Sequence, residues 1–247
     1  MRLFCFPYAG GAASVFAAWP ERLPWLEVRP VQLPGRATRR HEPPLTRIED
    51  LVRAFVPELL RCLDRPFAFF GHSMGAVLAF ETARYLCAKQ LPLPAALYVS
   101  GRRPPQVPDE DEPEDDSDEG LLAKLRELNG TPPRVLENDE LMQMILPVIR
   151  ADFAMMRHYR YSPGPPLPCP ITLFEGVDDE GRVPESAEGW GVHSLSPVVS
   201  ATFAGDHFFL ESSAEALLDT LDRSLRAVYE SAASTRGFTV SSKKAGQ

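Results

Sequence analysis

Ser73 stands in Gly71-His72-Ser73-Met74-Gly75, between the apolar run Pro66-Phe67-Ala68-Phe69-Phe70 and the helical pattern Ala76 to Ala83. A G-x-S-x-G segment that leaves a strand and enters a helix must reverse the chain within one or two residues. That turn holds the serine in a strained backbone conformation with its hydroxyl clear of the chain. The flanking glycines let strand and helix pass closely. A serine hydroxyl is a weak nucleophile until a base takes its proton, and the base in turn needs an acid to orient it.

His207, in Ala204-Gly205-Asp206-His207-Phe208-Phe209, directly follows the last strand pattern and is the candidate base. The other histidines are worse placed. His72 is next to Ser73 and cannot fold back onto it, His41 and His193 lie in loops away from strand ends, and His158 sits in a helical pattern. The acid is expected after the preceding strand, where Gly176-Val177-Asp178-Asp179 offers two adjacent aspartates. Asp179 is preferred and Asp178 stays as the alternative, while the side chain of Asp206 diverges from its neighbour His207. A developing oxyanion needs two preorganised N–H donors. Met74, the residue after the nucleophile, supplies one, and Ala9 in the loop after the first strand supplies the other. The order Ser73, Asp179, His207 is that of α/β-hydrolases.

These residues need a frame that brings strand ends together. Leu3 to Phe6 is continuously apolar, as a strand covered on both faces must be. It enters the loop Pro7-Tyr8-Ala9-Gly10-Gly11, and Ser14 is the expected N-cap of a short helix over 15–22. A second strand over 27–33 contains Pro30, which suits a sheet edge. Thr46 and Glu49 have capping-box spacing ahead of an amphipathic helix. The elbow strand and helix follow, then a strand over 95–101. Residues 102 to about 167 break the β/α rhythm with an acidic run and three helical segments (121–128, 139–150 and 151–159), and read as a helical lid insertion. Strands over 171–175 and 197–203 and a helix over 209–229 complete the pattern. The expected fold is α/β: one domain over 1–230 with a mostly parallel sheet flanked by helices, then a polar tail over 231–247.

Composition narrows the function class. The net charge is −8, but nine acidic residues and no basic one lie between Asp109 and Glu119, so the rest of the chain is near neutral. No basic stripe of the kind nucleic acid requires is present. The four cysteines lack paired spacing and read as reduced core thiols. No stretch has the length and apolarity of a membrane span, and the chain is expected to be cytoplasmic.

Four segments, Phe6-Pro7-Tyr8-Ala9-Gly10-Gly11, Leu33-Pro34-Gly35-Arg36, Gly71-His72-Ser73-Met74-Gly75 and Gly205-Asp206-His207-Phe208-Phe209, occur in the order found in type II thioesterases. The chain resembles that family over residues 2 to 230. The resemblance implies hydrolysis of acyl thioesters on the phosphopantetheine arm of acyl or peptidyl carrier domains. Aberrant acyl groups would thereby be removed from a polyketide or nonribosomal peptide synthase, beneath a mobile helical lid. No cofactor is expected, because the arm travels with the substrate. The family's acid lies in a G-x-x-D segment, which Gly176 to Asp179 matches, with Glu180 where proline often follows. Carrier docking would fall to basic groups near the strand ends, among them Arg36, Arg39, Arg40, Arg102 and Arg103. A general acyl-CoA thioesterase, a carboxylesterase or an acyltransferase would use the same triad.

Overall fold

A computed structural model of the chain describes residues 1–108, 115, 117–128, 130–131 and 133–235. Most of the acidic run and the tail from 236 onward lie outside the described residues. In chain order the elements are β1 (Arg2–Phe6), α1 (Trp19–Arg22), β2 (Glu27–Pro30), α2 (Ile48–Leu60), β3 (Phe67–His72), α3 (Met74–Ala88) and β4 (Leu97–Ser100). Then come α4 (Asp118–Leu128), α5 (Pro133–Leu136), α6 (Asp139–His158), β5 (Ile171–Gly176), α7 (Ser186–Gly191), β6 (Val199–Phe203), α8 (Phe209–Ser212) and α9 (Ala214–Thr235).

Among the described residues the strands form one six-stranded sheet in the order β2-β1-β3-β4-β5-β6, with every neighbouring pair parallel. Side chains alternate along each strand, so each face takes its own half of the apolar residues. Phe4, Phe6, Phe67 and Phe69 pack with Leu51, Val52, Val77 and Phe80 of α2 and α3. Leu3, Cys5, Ala68 and Phe70 pack on the other face with Phe16, Trp19 and Leu217, Leu221 and Leu225 of α9. Double coverage explains why the central strands show no polar alternation. Pro30 ends β2, an edge strand, where its missing N–H costs no ladder bond.

The chain runs from β1 outward to β2 and then crosses back to β3 on the opposite side of β1. Such a reversal opens a crevice at the carboxyl ends of the two strands. The loop over 7–12 leaves β1 there, and Ser73 leaves β3 beside it.

Several local expectations differ from the structure. Ser14 caps nothing: it lies inside a 3-10 turn over Ala13–Phe16 whose N-cap is Ala12. The Ala13 N–H finds its acceptor in the Gln32 side chain instead, at 3.2 Å. The Thr46–Glu49 capping box is also absent. α2 starts one residue later than that spacing requires, with Arg47 as N-cap and no side-chain cap bond. Thr46 is held outside the helix, its carbonyl accepting from His158 Nδ1 of α6 at 3.3 Å. The two helical segments expected over 139–159 are one 20-residue helix, capped by Asn138, whose side chain accepts from Leu141 N–H. No glycine or proline separates Arg150 from Ala151, so nothing breaks it there. α9 continues to Thr235, past the boundary expected at 230.

Candidate active site

The elbow is set by backbone contact. A Cβ on Gly71 would lie 2.1 Å from Gly75 O, and one on Gly75 would lie 2.1 Å from Phe6 O. Only hydrogen fits at either position, so β3, α3 and β1 approach to backbone distance. Ser73 between them takes φ 54° and ψ −119°, a conformation costing about 1–3 kcal/mol for a residue with a side chain. Its own backbone is held in place, the N–H donating to Ser100 O of β4 at 2.8 Å. Met74 opens α3, so its N–H is one of the donors that a helix leaves without an intrahelical acceptor.

The loops after β5 and β6 are laced together. Val177 N–H donates to Phe203 O at 2.9 Å and Asp178 N–H to Gly205 O at 3.0 Å. Gly176 permits this closeness, since a Cβ there would be 2.5 Å from Asp206 O. The lacing brings His207 onto Asp179, with Nδ1 3.0 Å from Oδ2. Of the two adjacent aspartates, Asp179 is 8% exposed and bonded to His207, whereas Asp178 is exposed at the cavity's edge. The other oxygen of Asp179 accepts the Gly181 N–H at 2.9 Å. Burial raises the Asp179 pKa, but the His207 hydrogen bond and charge, with the Gly181 N–H, hold it below the usual carboxylate value. The carboxylate therefore stays an acceptor and His207 Nδ1 donates to it, which leaves Nε2 outside that bond. Asp206 turns away, as expected, and accepts from Phe208 N–H at 2.9 Å.

Ser73, Met74, Ala9, Asp179 and His207 all line one cavity of about 890 Å³. Its opposite wall comes from α4 and α6, through Leu125, Leu128, Phe153 and Met156. The sheet side brings the reacting groups with Tyr8, Met74 and Phe208 beside them, and α4 adds Lys124 and Glu127 to its leucines.

Three further residues carry this geometry without having been singled out for it. His72 is fully buried, Nε2 lying 2.9 Å from the His207 carbonyl oxygen and Nδ1 2.9 Å from Ser100 Oγ. A carbonyl only accepts, so Nε2 holds the proton and Nδ1 accepts from the serine hydroxyl. Burial, and then the nearby His207, lower the His72 pKa to about 3, which fixes this neutral tautomer. Arg36 and Asp152 are the other two. Arg36 was expected among the surface docking groups, but it is 7% exposed and bonded to the fully buried Asp152. It belongs to the interior, not to a docking rim. His72 carried a local signal, its place beside the nucleophile; the Arg36–Asp152 pair spans 116 residues and carried none.

Among the described residues no helix is long and apolar enough to cross a membrane. A family model, Thioesterase domain, matches residues 1–225. The gramicidin S biosynthesis protein GrsT of Aneurinibacillus migulanus is 41% identical over 230 residues, covering 92% of this chain and 90% of that protein. Thioesterase PikA5 of Streptomyces venezuelae is 38% identical over 212 residues, covering 85% and 75%. The solved structure of the type II thioesterase BorB from the borrelidin biosynthetic cluster superposes with a TM-score of 0.81 at 41% identity, over 90% of this chain and 91% of that one. The matched span takes in the elbow, both laced loops and the helices over the cavity, and the chain belongs to the thioesterase domain family, serine hydrolases of the α/β-hydrolase fold.

Proposed function

We propose that this chain is a type II thioesterase that hydrolyses acyl thioesters borne on the phosphopantetheine arm of acyl or peptidyl carrier domains. In this role it clears aberrant acyl groups from a polyketide or nonribosomal peptide synthase. The observation that carries the chemistry is the His207 Nδ1–Asp179 Oδ2 bond of 3.0 Å, in the same cavity as the strained Ser73. The pathway class is supported by the relatives named above.

In the proposed mechanism Ser73 Oγ attacks the thioester carbonyl carbon while His207 Nε2 takes the hydroxyl proton. Asp179 stabilises the imidazolium through Nδ1–H. The carbonyl oxygen becomes an oxyanion between the Met74 and Ala9 N–H groups. The C–S bond breaks, the thiol leaves with the proton from His207, and the acyl group stays on Ser73. Water then attacks this ester, gives its proton to His207 Nε2, and releases the carboxylic acid while Ser73 recovers its hydrogen. A thiolate is a good leaving group, so the first half needs little acid catalysis. The enzyme needs no cofactor of its own for these steps.

The test is a hydrolysis panel of one acyl group presented on a carrier protein, on coenzyme A and as an oxygen ester. Carrier recognition predicts a higher kcat/KM for the carrier-bound thioester, with an advantage that shrinks as salt screens the encounter. Equal kcat/KM for carrier-bound and coenzyme A thioesters at low salt makes it a general acyl-CoA thioesterase. Preference for the oxygen ester makes it a carboxylesterase.

A further inference from the structure

We propose that Asp152, on α6, is a positioning residue that sets the oxyanion loop from the helical side of the cavity; this rests on the function proposed above. Both carboxylate oxygens are engaged. Oδ2 accepts the Gly10 N–H at 2.7 Å and Arg36 Nη1 at 2.7 Å, and Oδ1 accepts Arg36 Nη2 at 2.7 Å. Arg36 Nη1 also donates to Gly11 O at 3.0 Å. Three stretches far apart in the chain therefore meet on one carboxylate: the loop after β1, the turn after β2, and α6.

The loop itself is a tight turn, with Gly11 N–H donating to Tyr8 O at 2.9 Å and Gly10 in the left-handed region at φ 76°. With Tyr8 O, Gly10 N–H, Gly11 N–H and Gly11 O all bonded, the orientation of the Ala9 peptide is fixed from both sides. None of these bonds uses the Ala9 N–H, the donor assigned to the oxyanion. Ile149, one turn before Asp152, lies 3.1 Å from where a Gly10 Cβ would be, so α6 is seated directly on the loop. Phe153, the next residue, lines the cavity. The helix that walls the acyl site thus also clamps the oxyanion donor.

A fully buried ion pair is a weak device for stability, because the desolvation of two charges offsets much of their attraction. What it supplies is direction, which an apolar pair cannot give. Loss of the Asp152 carboxylate would take the acceptor away from Gly10 N–H and leave the Ala9 peptide held on the Tyr8 side alone.

The test compares wild type, Asp152→Asn, and the double variant Arg36→Met with Asp152→Leu, which fills the space without leaving an unpaired charge. Each is measured for kcat, for affinity towards an alkyl boronic acid that forms a tetrahedral adduct on serine, and for affinity towards an unreactive thioether analogue of the substrate. Positioning predicts that the double variant folds, loses about tenfold to a hundredfold in kcat, loses boronate affinity in parallel, and binds the thioether as wild type does. Asp152→Asn, which keeps an acceptor for Gly10 N–H, should fall between the two where it folds. A folded double variant with wild-type kcat and boronate affinity overturns the proposal, as does a loss of thioether and boronate affinity together. If the double variant does not fold, Arg36→Lys, which keeps the charge but loses the two-pronged contact, must show the same split between boronate and thioether, or the proposal falls. Ser73→Ala separates this from the function itself: full turnover in that variant removes the proposed mechanism, whatever Asp152 does.

Discussion

The two walls of the cavity are built by different physics. The sheet wall is fixed by backbone. Gly71 and Gly75 bring three elements to van der Waals limits, and the loops of Asp179 and His207 are tied by main-chain hydrogen bonds and by His72. The helical wall is fixed by side chains: Leu121, Leu125, Met142, Leu146, Ile149 and Phe153 form a small apolar cluster of their own. It is anchored to the sheet side by the Arg36–Asp152 pair. Backbone contacts leave no freedom for the reacting groups, whereas a side-chain cluster tolerates exchange of one apolar residue for another. The difference predicts that the reacting groups of the first wall tolerate no exchange, whereas the apolar side chains of the second tune the acyl chain, with Asp152 the one group of that wall tied to the chemistry.

The sharpest way to break that division is at the paired aspartates. Asp179→Asn should lower kcat by about 10⁴-fold, about 5 kcal/mol in the barrier, by removing the partner that orients the imidazole and stabilises its protonated form. Asp178→Asn, at an exposed neighbour, should change it little. Steady-state kinetics on one acyl thioester reads both, and the reverse ranking would move the acid to Asp178.

The second prediction concerns how the sheet wall responds to pH. The folded-state pKa of His72 is lowered to about 3 from 6.5, so the unfolded chain binds more protons between those values. Its contribution is complete above the unfolded pKa and is lost as pH falls towards the folded one, at about 1.4 kcal/mol per pH unit. Urea unfolding of wild type and His72→Gln at pH 7, 6 and 5 should give a shallower decline in the variant. His193, lowered to about 4 by burial and then by Arg84, maintains a decline in both proteins. Equal slopes would show that His72 is not held neutral.

The smallest effect should come from the helical wall. Leu125→Ala should cost about 2 kcal/mol, the low end for a buried leucine, because a satellite cluster can close over part of the space. It should shift KM and acyl-length preference and leave kcat within a few fold for the best substrate. A kcat loss like that of Asp179→Asn would erase the distinction between the walls.

This asymmetry also decides what was legible in the sequence. Gly71, Ser73 and Gly75 announce the elbow because the tight turn that needs them, with Gly71 against Gly75 O, is local in the chain, and Gly176 to Asp179 and His207 follow from strand ends that apolar runs reveal. The helix starts differ from the local caps because long-range hydrogen bonds override them: the Gln32 side chain accepts from Ala13 N–H, and His158 donates to the Thr46 carbonyl. Arg36 was unreadable for the same reason. An arginine after a turn looks solvent-exposed until a carboxylate 116 residues away buries it.

The central claim is that acyl transfer passes through Ser73. The most direct test mixes the enzyme with an acyl thioester, quenches in acid within the first turnovers, and measures intact mass with peptide mapping. The mechanism predicts a mass gain equal to the acyl group, located on Ser73, and no adduct or turnover in Ser73→Ala. An adduct on another residue, or turnover that persists in Ser73→Ala, would contradict it.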